Sequence, residues 1–192
     1  MQTKVELQGK LTQQLWKEPV ALNSAERSVT DWAMVDDHQA VLDVNCVRDH
    51  LLRHYLANYR VRACGLCLDA QQAHHLRHAL SGAEIMYSTG NEIPWRDNSF
   101  DRIFMANLLP NYINMSEFAL EAKRVLKADG RLVLALPPLP WWQMVSALWQ
   151  GDQYRHAAVQ PLLALLEMNG FTDVSCRHSR IGHRCVVAHK AS

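Results

Sequence analysis

From residue 40 onward, apolar runs of strand length alternate with stretches of helical period. Ala40–Val44 (AVLDV) reads as a short buried strand, and His50–Leu56 (HLLRHYL) as a helix. Val61–Leu68 (VRACGLCL) is a second strand, and Asp69–Leu80 a helix with Asp69 as its cap. Ala83–Tyr87 (AEIMY) forms a third strand, followed by the polar loop STGNEIPWRDNS and a fourth strand, Phe100–Ala106. Ser116–Leu126 is strongly amphipathic, Lys127–Gly130 (KADG) reads as a turn, and Arg131–Leu136 as a fifth strand. The tail holds a helix near Pro161–Asn169, a stop at Gly170, and two strand-like runs, Phe171–Arg177 and His183–His189, joined by SRIG. So short a connection predicts an antiparallel hairpin at the edge of the sheet. Upstream, Val5, Leu11 and Leu15 have helix-like spacing before Pro19. A further helix starts at Asn23 or Ser24, because Asn23 and Glu26 have the spacing of a capping box, and it runs to about Met34. Strand–helix alternation of this kind predicts a mostly parallel sheet covered on both faces.

Length and charge narrow the picture. At 192 residues one compact domain is expected, made of an N-terminal helical extension (1–37) and an α/β unit (38–192). With 20 Lys+Arg against 19 Asp+Glu the formal charge is +1. That balance argues against general nucleic-acid binding and against an anionic membrane surface. No apolar run is long enough for a membrane span, and the first residues do not read as a signal peptide. Five cysteines, an odd number, argue against a disulfide framework and for the cytoplasm. Glycine is scarce: 8 are present, where average usage gives about 13, and none lies between Gly9 and Gly65.

Four stretches resemble the class I S-adenosylmethionine (SAM) dependent methyltransferases, in particular the subgroup of ubiquinone- and menaquinone-pathway enzymes. AVLDV at 40–44 looks like that family's first strand and the acidic residue of its first motif. IPWRDNSFDRIFMANLL at 93–109 resembles its "LPF-x-D-x-SFD" segment and fourth strand. EAKRVLKADGRLVLA at 121–135 resembles its "RVLKPGG" helix, turn and fifth strand, and LLEMNGF at 165–171 the "L-x-x-AGF" that opens the last hairpin. The resemblance implies a three-layer Rossmann-like fold, with a seven-stranded, mostly parallel sheet ending in an antiparallel hairpin. It implies SAM as cofactor, with Asp43, Asn45, Cys67, Thr89, Gly90, Asn91 and Asn107 at the cofactor positions.

The family's first motif is acidic-x-Gly-x-Gly-x-Gly, and the matching Asp43–Asp49 segment keeps the acid and loses all three glycines. Asn45 is the mildest replacement, because Asn tolerates positive φ. Val47 is the most severe, with a branched Cβ. Asp49 is expected to cap the following helix and to repel a cofactor carboxylate unless Arg48 compensates. Cys67 stands where the family has a carboxylate for the ribose hydroxyls, and a thiol cannot act as that bidentate acceptor. Asp69 lies two residues on, at the helix cap. Thr89 stands where many relatives carry an Asp for the adenine amino group, and its hydroxyl can still accept that bond. Each lost polar contact is worth on the order of 1–3 kcal/mol.

Two functional readings stand side by side. One is an active methyltransferase, in which orientation of a small-molecule or macromolecular acceptor does most of the work. The other is a non-catalytic member, a pseudoenzyme serving as a binding or scaffold protein for a protein partner or a second copy of itself. Cys64 and Cys67, with His74 and His78, or the pair His50 and His54, have spacings seen in zinc sites. Core thiols and a solvated histidine face are the expected reading, with no metal. Pro137–Trp142 and Trp149 read as packing after strand five, with an acceptor pocket or a partner surface as the alternative, and Trp95 reads as core. The inserted segment 137–160 is short and leaves the acceptor side open.

Overall fold

The computed structural model describes residues 20–89, 92–106, 114–136, 159–178 and 183–191. Helix α1 (Ser24–Ala33) begins with the expected capping box: Asn23 Oδ1 accepts from the Glu26 amide at 2.8 Å, and Glu26 Oε2 from the Asn23 amide at 2.7 Å. It stops at Met34, in the left-handed region at φ 47°. Strand β1 (Ala40–Val44) is buried along its whole length. Then come α2 (His50–Asn58), β2 (Arg62–Cys67), α3 (Ala70–Ala79), β3 (Ala83–Tyr87) and β4 (Phe100–Met105). Helix α4 (Met115–Val125) is capped by Asn114, whose Oδ1 accepts from Ser116 N at 3.1 Å and Glu117 N at 3.4 Å. Strand β5 (Leu126–Ala135), α5 (Gln160–Met168), β6 (Phe171–His178) and β7 (Arg184–Lys190) complete the chain. Gly170, at φ 79°, turns α5 into β6.

The seven strands lie in the order β3-β2-β1-β4-β5-β7-β6. β3, β2, β1, β4 and β5 pair in parallel, and β7 is antiparallel to both β5 and β6. This is the predicted seven-stranded, mostly parallel sheet with a C-terminal antiparallel hairpin. One face, with Leu42, Leu66 and Ile103, is covered by α4 and α5 through Phe118, Ala122 and Leu166. The other face, with Val41, Ala63 and Phe104, is covered by α1, α2 and α3 through Val29, Leu52, Tyr55 and Leu76. Fully buried Phe104 and Tyr55 pack with ring centroids 5.2 Å apart.

Residues 127–130 depart from the expected simple turn. Leu126 already pairs with Phe100, and the register slips before Arg131 pairs with Arg102, so KADG is a bulge inside β5. Asp129 takes φ 58°, and a Cβ on Gly130 would lie 2.7 Å from the Lys127 carbonyl oxygen. Glycine is required there by close approach. Helix α1 is tied to the sheet rather than trailing from it: Arg102 Nε donates to Ala33 O at 2.8 Å, and Arg131 Nη1 to Trp32 O at 3.0 Å. Among the described residues no helix is long and apolar enough to cross a membrane.

Candidate cofactor crevice

In a sheet of this order the chain leaves β1 toward one face and β4 toward the other. The carboxyl ends of these two strands form the topological switch point, where doubly wound folds open a crevice for their ligands. The segment following β1 forms its floor. Asp43, 4% exposed, presents a carboxyl group beside the Cys46 thiol. Burial pushes that carboxyl well above the usual carboxylate range, with the neighbouring Glu26 charge adding to the rise and the Cys46 contact opposing it. Asn45 is buried and sits at φ 58°. It adopts the left-handed conformation that the family's first glycine permits, so the turn survives the substitution. Val47 does not need positive φ: it is absent from the left-handed positions, and its side chain is 44% exposed at the rim.

Helix α2 opens onto the same crevice. The expected cap does not form, because Asp49 has no side-chain hydrogen bond to the helix amides. Its carboxylate is drawn one turn along to the Arg53 guanidinium instead. Arg48 does not compensate Asp49 either; it pairs with Glu26 at 3.4 Å. The first-turn amides of α2 are therefore left without a capping side chain, and the anion nearest to them is already paired.

The β2 side is arranged differently. Cys67, 1% exposed, donates to the Cys46 carbonyl oxygen at 3.3 Å. Asp69 Oδ1 accepts from Gln72 N at 2.7 Å, as the expected cap of α3. The Gln72 side chain reaches back to donate to the Val47 carbonyl, lacing the β1–α2 loop to α3. No carboxylate at the end of β2 replaces the family's ribose acceptor. Thr89 is exposed just past β3, after Ser88, whose amide donates to Cys67 O at 3.1 Å. Gly90, Asn91 and Asn107 lie outside the described residues, as do Pro137–Trp142 and Trp149. The carboxyl ends of β1 and β2 thus bring together Asp43, Asn45 and Cys67, with Thr89 just past the end of β3.

Glu26 and Gln72 do not emerge as site residues from sequence spacing. Glu26 is legible as a helix cap, and its second oxygen turns to Arg48 across the fold. Gln72 shows only as one of two glutamines in the first turn of a helix. Cys64 and Cys67 lie on opposite faces of the sheet, an odd number of residues apart along β2, and cannot share a ligand. Burial drives the Cys64 thiol up to about 12. Among the described residues no group of three or more His, Cys, Asp or Glu is placed to hold a metal ion. Trp95 is core, 8% exposed, and its indole donates to Glu84 Oε1 at 3.0 Å.

The strand order and the antiparallel C-terminal hairpin define a doubly wound α/β sheet with its switch point between β1 and β4. Residues 42–134 match the family described as "Methyltransferase domain". A stretch of 46 residues is 46% identical to a demethylmenaquinone methyltransferase of Tropheryma whipplei (strain Twist), covering 24% of this chain and 19% of that protein. The structure resembles a SAM-dependent methyltransferase from Aquifex aeolicus with a TM-score of 0.65 at 18% identity, over 99% of this chain and 100% of that one. It also resembles Haemonchus contortus phosphoethanolamine N-methyltransferase 2 in complex with S-adenosyl-L-methionine, with a TM-score of 0.67 at 11% identity, over 91% of this chain and 54% of that one. A third likeness is to a complex between the Haloferax volcanii Trm112 methyltransferase activator and a methyltransferase, with a TM-score of 0.68 at 13% identity, over 98% and 95% of the two chains. At these identities the structural likenesses establish the fold. Residues 42–134, a little under half of the chain, resemble a methyltransferase domain, and the fold is that of the SAM-dependent methyltransferase structures. Nothing in these comparisons speaks specifically for the non-catalytic alternative.

Proposed function

We propose that the protein binds SAM in this crevice and transfers its methyl group to an acceptor positioned beyond β4. The observation that carries this reading is the left-handed turn at Asn45, which keeps the β1–α2 loop in its ligand-binding form without glycine, beside a buried Asp43. The residues present fit the amino-acid end of the cofactor. Asp43 supplies a carboxylate for its ammonium group, and the uncapped first turn of α2 supplies amides for its carboxylate. The ribose end is held less well, by Cys67 and the surrounding backbone, and Thr89, with Gly90, Asn91 and Asn107 of the sequence motif, is assigned to the base and the acceptor side by the resemblance alone. Bound SAM supplies an electrophilic methyl group on a sulfonium centre. What remains for the chain is to orient the acceptor and to exclude water from the crevice.

A protein partner or a second copy belongs to the same reading, supported by the neighbour that is complexed with an activator. The acceptor class stays broad, a small molecule or a macromolecule. Five free cysteines support the cytoplasm as its compartment.

Asp43 gives the proposal a proton signature. A neutral buried acid that must ionise to meet a cation releases a proton when the cation binds. Calorimetric titration with S-adenosylhomocysteine and SAM is expected to show a binding heat that varies with the ionisation enthalpy of the buffer. Affinity should rise with pH, by at most about tenfold per unit, until the free-protein pKa of Asp43 is passed. Absence of heat at millimolar ligand in every buffer would sink the proposal.

A further inference from the structure

Cys46 and Cys67 occupy facing positions at the ends of β1 and β2. The Cys46 amide donates to Leu66 O at 3.0 Å, the ladder bond that sets Cys46 opposite Cys67 once Asn45 has been taken up in the left-handed turn. The Cys67 thiol lies 3.3 Å from the Cys46 carbonyl oxygen. Both side chains are on the same face of the sheet, each 1% exposed, and the Cys46 thiol donates to the Arg48 carbonyl oxygen at 3.3 Å. Facing residues on neighbouring strands have Cα atoms about 5 Å apart, inside the roughly 4.4–6.8 Å range that a disulfide spans. None of the other three cysteines is so placed. Cys64 and Cys176 pack on the opposite face, and Cys185 lies on β7, beyond β4 and β5.

We infer that Cys46 and Cys67 form a redox modification site, closing to a disulfide when a hydroperoxide reaches the crevice. The Cys67 sulfur is the one to react first. The Cys46 side chain beside it lowers the pKa of the Cys67 thiol, against the effect of burial, while the same closeness raises that of Cys46. The Cys67 thiolate attacks one peroxide oxygen, the O–O bond breaks, and hydroxide leaves, giving a sulfenic acid. The Cys46 sulfur then attacks the Cys67 sulfur, the S–O bond breaks, and water departs with the Cys46 proton. Two thiols are oxidised by two electrons in all, and hydrogen peroxide is reduced to two waters. The product pins the loop carrying Asn45 to the end of β2, so the thiol state sets the freedom of the crevice floor. This inference does not depend on which ligand the crevice takes.

The full-length protein, treated with hydrogen peroxide and alkylated under denaturing conditions, tests it. The free thiol count is expected to fall from five to three and to recover with dithiothreitol. Non-reducing tryptic mapping should link the peptide 28–48 to the peptide 63–77, with fragmentation placing the bond at Cys67 rather than Cys64. Cys46→Ala and Cys67→Ala should each lose the link. Five alkylated thiols after oxidation, a bond to Cys64, or a link only between chains would each overturn the inference, and the wild-type mapping decides it even if a variant fails to fold.

Discussion

Replacing Asp43 by Asn is expected to make the protein more stable at neutral pH and to weaken SAM binding. In the unfolded chain an aspartate titrates near about 3.9. In the folded protein burial raises the group well above that value, with Glu26 adding to the rise. A raised carboxyl favours the folded state fully below the unfolded pKa, and that contribution is lost as pH climbs through the folded pKa. At neutrality Asp43 is thus a burden on the fold, consistent with a role outside stability. An amide of the same shape carries no charge to desolvate. The melting-temperature difference between Asp43→Asn and wild type should be small near pH ~2–3, where the carboxyl is protonated in both folded and unfolded chains, and should grow as pH rises. A gain of about 1 kcal/mol corresponds to roughly 2–4 °C in a protein of this size. The same variant should lose the proton release on ligand binding. A lower melting temperature at neutral pH would mean that the Asp43 carboxylate is paired in a way that supports the fold.

Arg124→Met is expected to destabilise the protein by about 2–4 kcal/mol, and to lower its melting temperature by roughly 5–15 °C. The Arg124 guanidinium is a clamp on the loop between β3 and β4. It donates to Ile93 O at 2.9 Å and to Trp95 O at 2.9 Å, and forks onto the Glu121 carboxylate with two bonds of 2.7 Å. Glu121 in turn accepts from the Ile93 amide at 3.0 Å. Ile93 and Trp95 are core residues, so the loop carrying them cannot detach without exposing them. Removing the guanidinium leaves two carbonyls and a carboxylate without their shared donor, the costly kind of hydrogen-bond deletion. The pair with Asp97 is a different matter. Asp97 is 69% exposed, and Asp97→Ala should change stability by less than about 1 kcal/mol. Arg124→Lys should recover little, because an ammonium cannot reproduce the planar fork. Thermal unfolding of the three variants separates these contributions.

The fold was legible because buried parallel strands read as short apolar runs and because the caps are written locally. AVLDV and RLVLA need no tertiary information, and Asn23–Glu26 and Asp69 sit where their hydrogen bonds form. The β5 bulge was not legible. Leu126 satisfies both the helical pattern before it and the strand after it, and only pairing with Phe100 decides between them. At the site, the tolerance of Asn for positive φ made Asn45 readable as a glycine substitute. Asp49 has the spacing of a cap, but two local devices compete for it, the helix amides and an arginine one turn on, and the ion pair wins. Arg48 found its partner on α1, 22 residues upstream, a contact no local spacing encodes.

In the proposed function, the crevice formed by the ends of β1 and β2 and the first turn of α2 holds the cofactor. Backbone amide mapping of the isotopically labelled protein with S-adenosylhomocysteine addresses it directly. Perturbations are expected at Asp43–Val47, at the first amides of α2, at Cys67–Asp69 and at Ser88–Thr89. No perturbation at saturating ligand, or perturbations confined to the open groove of about 740 Å³ between residues 92–96 and α4, would contradict the account.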